Sequence, residues 1–139
     1  MQKDSVFEEM KVSVPVKFAT LWASLMFIII YLDYFHLYMP NSLQDMLNGR
    51  VFVFDISQGF LIAAMFMVAP PAMMIFLSVA LPAKLNRLAN IIVASINIPL
   101  LLSNLAGEAW PHMVIGAVLQ MIILGLILRY AWNWPRISA

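Results

Sequence analysis

The sequence predicts an all-α, polytopic membrane protein: a four-transmembrane-helix bundle with short interfacial helices. Three observations carry that reading. Of 139 residues, 63% are apolar and 11% charged, where soluble domains hold about 45–50% and about 25%. Uncharged runs cover residues 18–32 (15 residues), 56–83 (28), 88–107 (20) and 109–128 (20), and roughly 20 apolar residues cross a hydrocarbon core. If those runs cross alternately, seven of the eight Lys and Arg residues fall on one side.

Composition also closes several function classes. A net charge of +1 gives no electrostatic footprint for nucleic acid. Without cysteine there is no disulfide framework, thiolate metal site, covalent haem or Cys nucleophile.

In chain order, the leading MQKDSVFEEMKVSVPVK mixes acids with lysines and is not a signal peptide. Ser5 and Glu8 have capping-box spacing, with Val6, Phe7 and Met10 on one face, so a short helix on the membrane surface is expected. The first span is placed at 17–39, because apolar and aromatic residues continue past Asp33 to Met39 and Pro40 ends the helix. Asp33 therefore lies inside a span. Asn41 or Ser42 then caps a second interfacial helix, with Leu43, Met46 and Leu47 on one side and Gly49 at its end. The second span, 54–82, carries Pro70-Pro71 near its middle and should kink or tilt. The third, 86–106, should bend at Pro99, and the fourth occupies 110–131. No internal repeat interrupts what reads as a single membrane domain over residues 1–139.

Charge orients the bundle. Lys3, Lys11, Lys17, Lys84, Arg87, Arg129 and Arg136 oppose Arg50 alone, so both termini are expected in the cytoplasm. Trp110 at one end of the fourth span and Tyr130, Trp132 and Trp134 at the other mark the interfacial belts.

With that topology Asp33, Asp45, Asp55, Glu108, His36 and His112 all fall in the outer half or on the outer surface. Asp33 lies 16 residues beyond Lys17, about 24 Å of helical rise and so about one turn inside the boundary. His36 follows one turn later, Asp55 and Gln58 have i,i+3 spacing, and Glu108 and His112 have i,i+4 spacing. Converging faces would make Asp33, His36, Asp55, Gln58, Glu108 and His112 an outward-facing pocket for a cation, a basic or lipophilic ligand, or a proton step. The competing reading is hydrated interfacial groups, with His112 in a first turn opened by Trp110-Pro111 and His36 paired to Asp33.

One His per helix and no His-x-x-x-His pair argue against a metal site, and no cofactor is expected. Met65, Met67, Met73 and Met74 read as packing and lipid-facing residues rather than copper ligands. On the third span Asn90, Asn97 and Asn104 recur every seven residues, with Asn86 one turn earlier. Such a stripe either glues helices together or, with Gln58 and Gln120, lines a polar path inward toward Arg87. Gly116 and Gln120 continue the His112 face of the fourth span, which should point into the bundle. Motifs for hydrolase, zinc-protease, phosphate-loop or lipidation chemistry are absent from the sequence.

The stretches LWASLMFIIIYLDYFHLYMP, PPAMMIFLSVALPAKLNRLANII and LQMIILGLILRYAWNWP together resemble a bacterial family of small four-span membrane proteins with no assigned function. That resemblance implies the fold and a bacterial inner membrane. In layout the chain is also similar to DoxX-like proteins and to the sterol-isomerase/sigma-2-receptor superfamily, four-helix folds that bind lipophilic ligands. There, acidic residues near the outer ends of the first two spans contact a cationic ligand or intermediate, and Asp33 and Asp55 hold comparable places.

Four functions remain open at this stage: a ligand-binding membrane protein, a small cation or proton-coupled transporter or channel, an accessory subunit of a larger complex, and an intramembrane enzyme of sterol-isomerase or DoxX type. The expected partners are membrane lipid and either further copies of the chain or another membrane protein, since four helices enclose little interior.

Overall fold

The computed structural model describes residues 8–107 and 109–136. Four helices are long and apolar enough to cross a membrane: α1 (Val14–His36), α3 (Gln58–Ala80), α4 (Ala83–Ser103) and α5 (Pro111–Trp132). Between α1 and α3 lie a short helix, α2 (Ser42–Leu47), and a two-stranded hairpin, β1 (Arg50–Val51) and β2 (Phe54–Asp55). Helix α1 packs against α3 and α5, and α4 packs against the same two. The bundle is therefore a ring in the order α1, α3, α4, α5.

Side-chain pairs identify the two ends. At one, the Lys17 ammonium lies 5.1 Å from the centre of the Tyr130 ring, Phe18 meets Trp134 at 5.5 Å, and Arg87 Nε donates to the Ala131 carbonyl at 2.8 Å. That carbonyl belongs to the last turn of α5, where a cation also meets the negative end of the helix dipole. At the other end the Phe35 and His112 rings meet edge to face at 6.4 Å. We call these the Lys17 end and the His36 end.

Each helix buries a narrow stripe. On α1 the residues withdrawn from the surface include Phe18, Trp22, Leu25, Ile29, Leu32 and His36, and on α5 they include Ala117, Gln120, Leu124, Ile127 and Ala131. Alternating steps of three and four residues give the 3.5-residue period of knobs-into-holes packing. The outward faces are themselves strongly apolar, with Phe27, Ile30, Phe66, Phe76 and Ile122 exposed, whereas Ser78, Asn86, Asn90 and Gln120 are buried. In water this distribution would be unfavourable; in lipid the tails solvate the outside and van der Waals packing and interhelical hydrogen bonds hold the inside.

Ser78, Asn86 and Asn90 form one connected network with Trp22 at the Lys17 end. Trp22, Ser78, Asn86 and Asn90 are each 0% exposed. The Trp22 indole N–H donates to Asn90 Oδ1 at 2.7 Å. Asn90 Nδ2 donates to Asn86 Oδ1 at 2.7 Å and to the Asn86 carbonyl at 2.9 Å, with Ser78 Oγ 3.5 Å away. Asn86 Nδ2 in turn donates to the Ser78 carbonyl. The last bond has a backbone cause. In a continuing helix the Ser78 carbonyl would accept from residue 82, but residue 82 is proline and has no N–H. Asn86 supplies the missing donor, and no buried side-chain N or O among the described residues lacks a partner.

Several expected boundaries move. Helix α3 begins at Gln58, not at 54, because Ser57 caps it by accepting from the Phe60 N–H at 3.1 Å. It then runs unbroken to Ala80 through Pro70 and Pro71. Helix α1 ends at His36, and residues 37–40 form a turn rather than further helix. Helix α4 begins at Ala83 and ends at Ser103, three residues before either expected limit, and α5 ends at Trp132.

The interfacial helix after the first span is α2, preceded by Asn41 in the left-handed region (φ 65°) with no side-chain cap bond. Gly49 follows α2 at φ +80°. The surface helix expected around Ser5 lies mostly outside the described residues, and residues 8–13 carry no helix.

Breaking the network from one side should cost more than dissolving it. Asn90→Ala leaves the Trp22 N–H unsatisfied in an apolar interior and is expected to destabilise by about 1–3 kcal/mol. Trp22→Phe combined with Asn90→Leu should recover part of that loss, read as melting temperatures in detergent.

Candidate functional site

Of the sequence-derived outer residues, Asp33 and His112 both lie near His36 at the His36 end, while Asp45, Asp55 and Gln58 are exposed on other elements. The His36 ring stacks on Phe52 with centroids 4.2 Å apart, and its Nδ1 lies 3.3 Å from Met39 Sδ. It is close enough to Asp33 and His112 to interact with the charge of each. His112 stands edge-on to both Phe35 and Trp110, at 6.4 and 6.2 Å.

The carboxylates are dispersed. Asp33 is exposed on α1, and Asp45 is exposed on α2. Asp55 sits on β2, not on a helix with Gln58, and pairs with Arg50 at 3.5 Å with 86% of its side chain exposed. An ion pair that open contributes little. Gln58 is exposed at the first position of α3. Glu108 lies outside the described residues. Among the described residues no group of three His, Asp or Glu side chains is gathered to hold a metal ion.

The asparagine stripe divides along its length. Asn86 and Asn90 belong to the buried network, and Asn97 is half-buried and returns its amide to its own helix at the Val93 carbonyl, 2.8 Å away. Asn104 is exposed just past the end of α4. Gln120 is buried on α5.

What the His36 end does contain is a groove between α1 and α5. Its mouth, about 430 Å³, is walled by Tyr34, Phe35, Tyr38, Met39, Trp110 and His112. Below it a second cavity of about 290 Å³ runs along the helices, with Phe27, Leu32, Ile115 and Leu119 among its walls. Phe35 and His112 line both. The lower cavity is mostly apolar, with Tyr31 and His112 also in its walls; at the mouth the Tyr34 and Tyr38 hydroxyls are 2.8 Å apart and their rings meet edge to face at 5.4 Å.

The groove follows from local sequence. Tyr34 and Tyr38 are one turn apart on α1 and the turn after it, and Pro111 starts α5 so that His112 lies in its first turn. Gly116 floors the lower cavity: a Cβ there would stand 2.5 Å from Leu32 Cδ1. The missing side chain is what lets α1 and α5 approach beneath the mouth.

The sequence-derived site omitted Tyr34, Phe35, Tyr38 and Leu32. The available signal was the aromatic cluster at 34, 35 and 38, which reads equally as an interfacial belt. Trp22 was omitted from the polar network as well, although an indole placed away from either belt implies a buried acceptor.

A family model described as a family of unknown function (DUF6326) matches residues 7–135. No curated protein and no solved structure matches the chain.

Two substitutions separate this packing from the exposed charges. Gly116→Ala should lower the melting temperature by overpacking, about 1–3 kcal/mol, and Leu32→Ala in the same chain should relieve it. Asp55→Asn should leave the melting temperature unchanged, since its partner is solvent-exposed.

Proposed function

Since the chain belongs to that DUF6326 family, whose description carries no activity, we propose from its geometry that it holds a lipophilic, tailed molecule in the groove between α1 and α5. The observation that carries this reading is that Phe35 and His112 line both cavities, so that an aromatic mouth bearing hydroxyl and imidazole groups lies next to a mostly apolar cleft along the same two helices. A molecule with a polar head and a hydrocarbon tail matches that division, and rigid aromatic walls lower the ordering cost of binding.

This keeps the lipophilic part of the ligand expected from the sequence and moves its site. No described Asp or Glu lines either part of the groove, so the described walls offer a cationic ligand no countercharge. Asp33, Asp55 and Gln58 are hydrated groups on this reading, and Asn86 and Asn90 hold the bundle together rather than conduct.

The membrane placement supports the same picture. Lys17, Lys84, Arg87 and Arg129 belong to the Lys17 end and Arg50 to the other. By the positive-inside rule the Lys17 end is cytoplasmic and the groove opens near the outer face of a bacterial inner membrane.

A photoreactive long-chain fatty alcohol, incorporated with the protein into nanodiscs, tests the groove. Crosslinks are expected on α1 and α5 around Phe35 and Ile115, falling at least fivefold in Leu119→Trp, which fills the lower cavity. Labelling spread evenly over all four helices and indifferent to that substitution would overturn the reading. The chain's lack of cysteine makes orientation equally direct to measure. Single cysteines at Asn48 and Lys84 should react with an impermeant maleimide in intact cells and only after permeabilisation, respectively.

A further inference from the structure

We infer that the head group held at the mouth of this groove is a neutral, flat ring bearing a carbonyl acceptor, as in a quinone on an alkyl or prenyl tail. The inference rests on the groove reading above and adds the chemistry of the occupant.

Charge decides first. No Lys, Arg, Asp or Glu is among the described residues that line the mouth or the cleft. A phosphate or carboxylate head would be desolvated against aromatic rings without a countercharge, and so would an amine. The occupant that fits is neutral.

Hydrogen bonding decides next. Tyr34 and Tyr38 share one hydrogen bond between their hydroxyls. Two hydroxyls hold two hydrogens and that bond uses one, so the pair as a unit has a further O–H to donate. The His112 imidazole, half-buried between the Phe35 and Trp110 rings, carries at least one N–H. The mouth thus brings donors to the level where a ligand's head would lie, and a carbonyl oxygen accepts from them without needing to donate in return.

Shape decides the rest. Four of the six wall residues at the mouth are Tyr, Phe or Trp, and such rings pair with another flat ring edge-on or offset at modest gain beyond burial. Below them, the cavity lined by Phe27, Leu32, Ile115 and Leu119 presents hydrocarbon to a tail.

The test is competition in nanodiscs, with the photoreactive fatty alcohol as reporter and decylubiquinone, phosphatidylglycerol and cholesterol as competitors. Decylubiquinone is expected to displace the reporter saturably, and its apparent affinity should fall at least fivefold in the double variant Tyr34→Phe/Tyr38→Phe and in His112→Ala. Reporter crosslinking in those variants should persist, showing that they fold and keep the tail cleft. The inference is overturned if the reporter labels α1 and α5 but phosphatidylglycerol or cholesterol displaces it as well as decylubiquinone does. It is also overturned if decylubiquinone binds equally to wild type and both variants. Failure of the reporter to label the groove at all would instead remove the groove reading, and this inference with it.

Discussion

A tryptophan indole buried among four lipid-facing helices must find an acceptor, and the arrangement of this bundle turns on how Trp22 does so. Its acceptor, Asn90, belongs to α4, which lies across the ring from α1 rather than beside it. Asn90 is oriented by Asn86, and Asn86 by a carbonyl of α3. Three helices are thereby tied at one level. An average membrane hydrogen bond contributes only about 0.6 kcal/mol, so the network matters less as a sum of bonds than as a constraint on rotation: a helix turned away from this register leaves a polar group in hydrocarbon.

That constraint reaches both ends of the molecule. With Trp22 facing inward, the 3.5-residue period carries the stripe on through Leu25, Ile29 and Leu32 to His36, and Leu32 meets the bare backbone of Gly116. The most deeply buried side chains, Phe18, Trp22, Leu25, Leu124 and Ile127, belong to the Lys17 half. Toward the His36 end burial thins, and aromatic rings frame a groove instead of filling a core. A tightly registered half therefore supports a more open half, the division expected where one end stores stability and the other meets a ligand.

The hairpin between α1 and α3 shows the same compensation on a smaller scale. Phe52 adopts φ 52°, unusual for a bulky side chain, at the turn between Val51 and Phe54. Its ring stacks on His36, so a strained turn is held by an aromatic contact, and the same contact fixes the imidazole beside the groove. No Asn-Gly or Asp-Gly pair marks this turn in the sequence.

By itself the sequence determined the number of crossing helices, their approximate limits, the short helix after the first span and the concentration of basic residues at one end. These depend on composition, run length and charge, which are local. It also marked Asn86 and Asn90 as groups that need partners, because an amide in an apolar run is costly wherever the run is placed. Which partners they find was decided only in three dimensions. The acceptor role of Ser78 arises because Pro82 lacks an N–H and α4 brings Asn86 back beside it, and the diagonal bond to Trp22 depends on the ring order of the helices. For the same reason the expected cluster of Asp33, Asp55 and Gln58 dispersed: residues at one depth share a site only if their helices turn those faces together. Ser57 started α3 too late to carry Asp55, and the aromatic faces of α1 and α5 met instead.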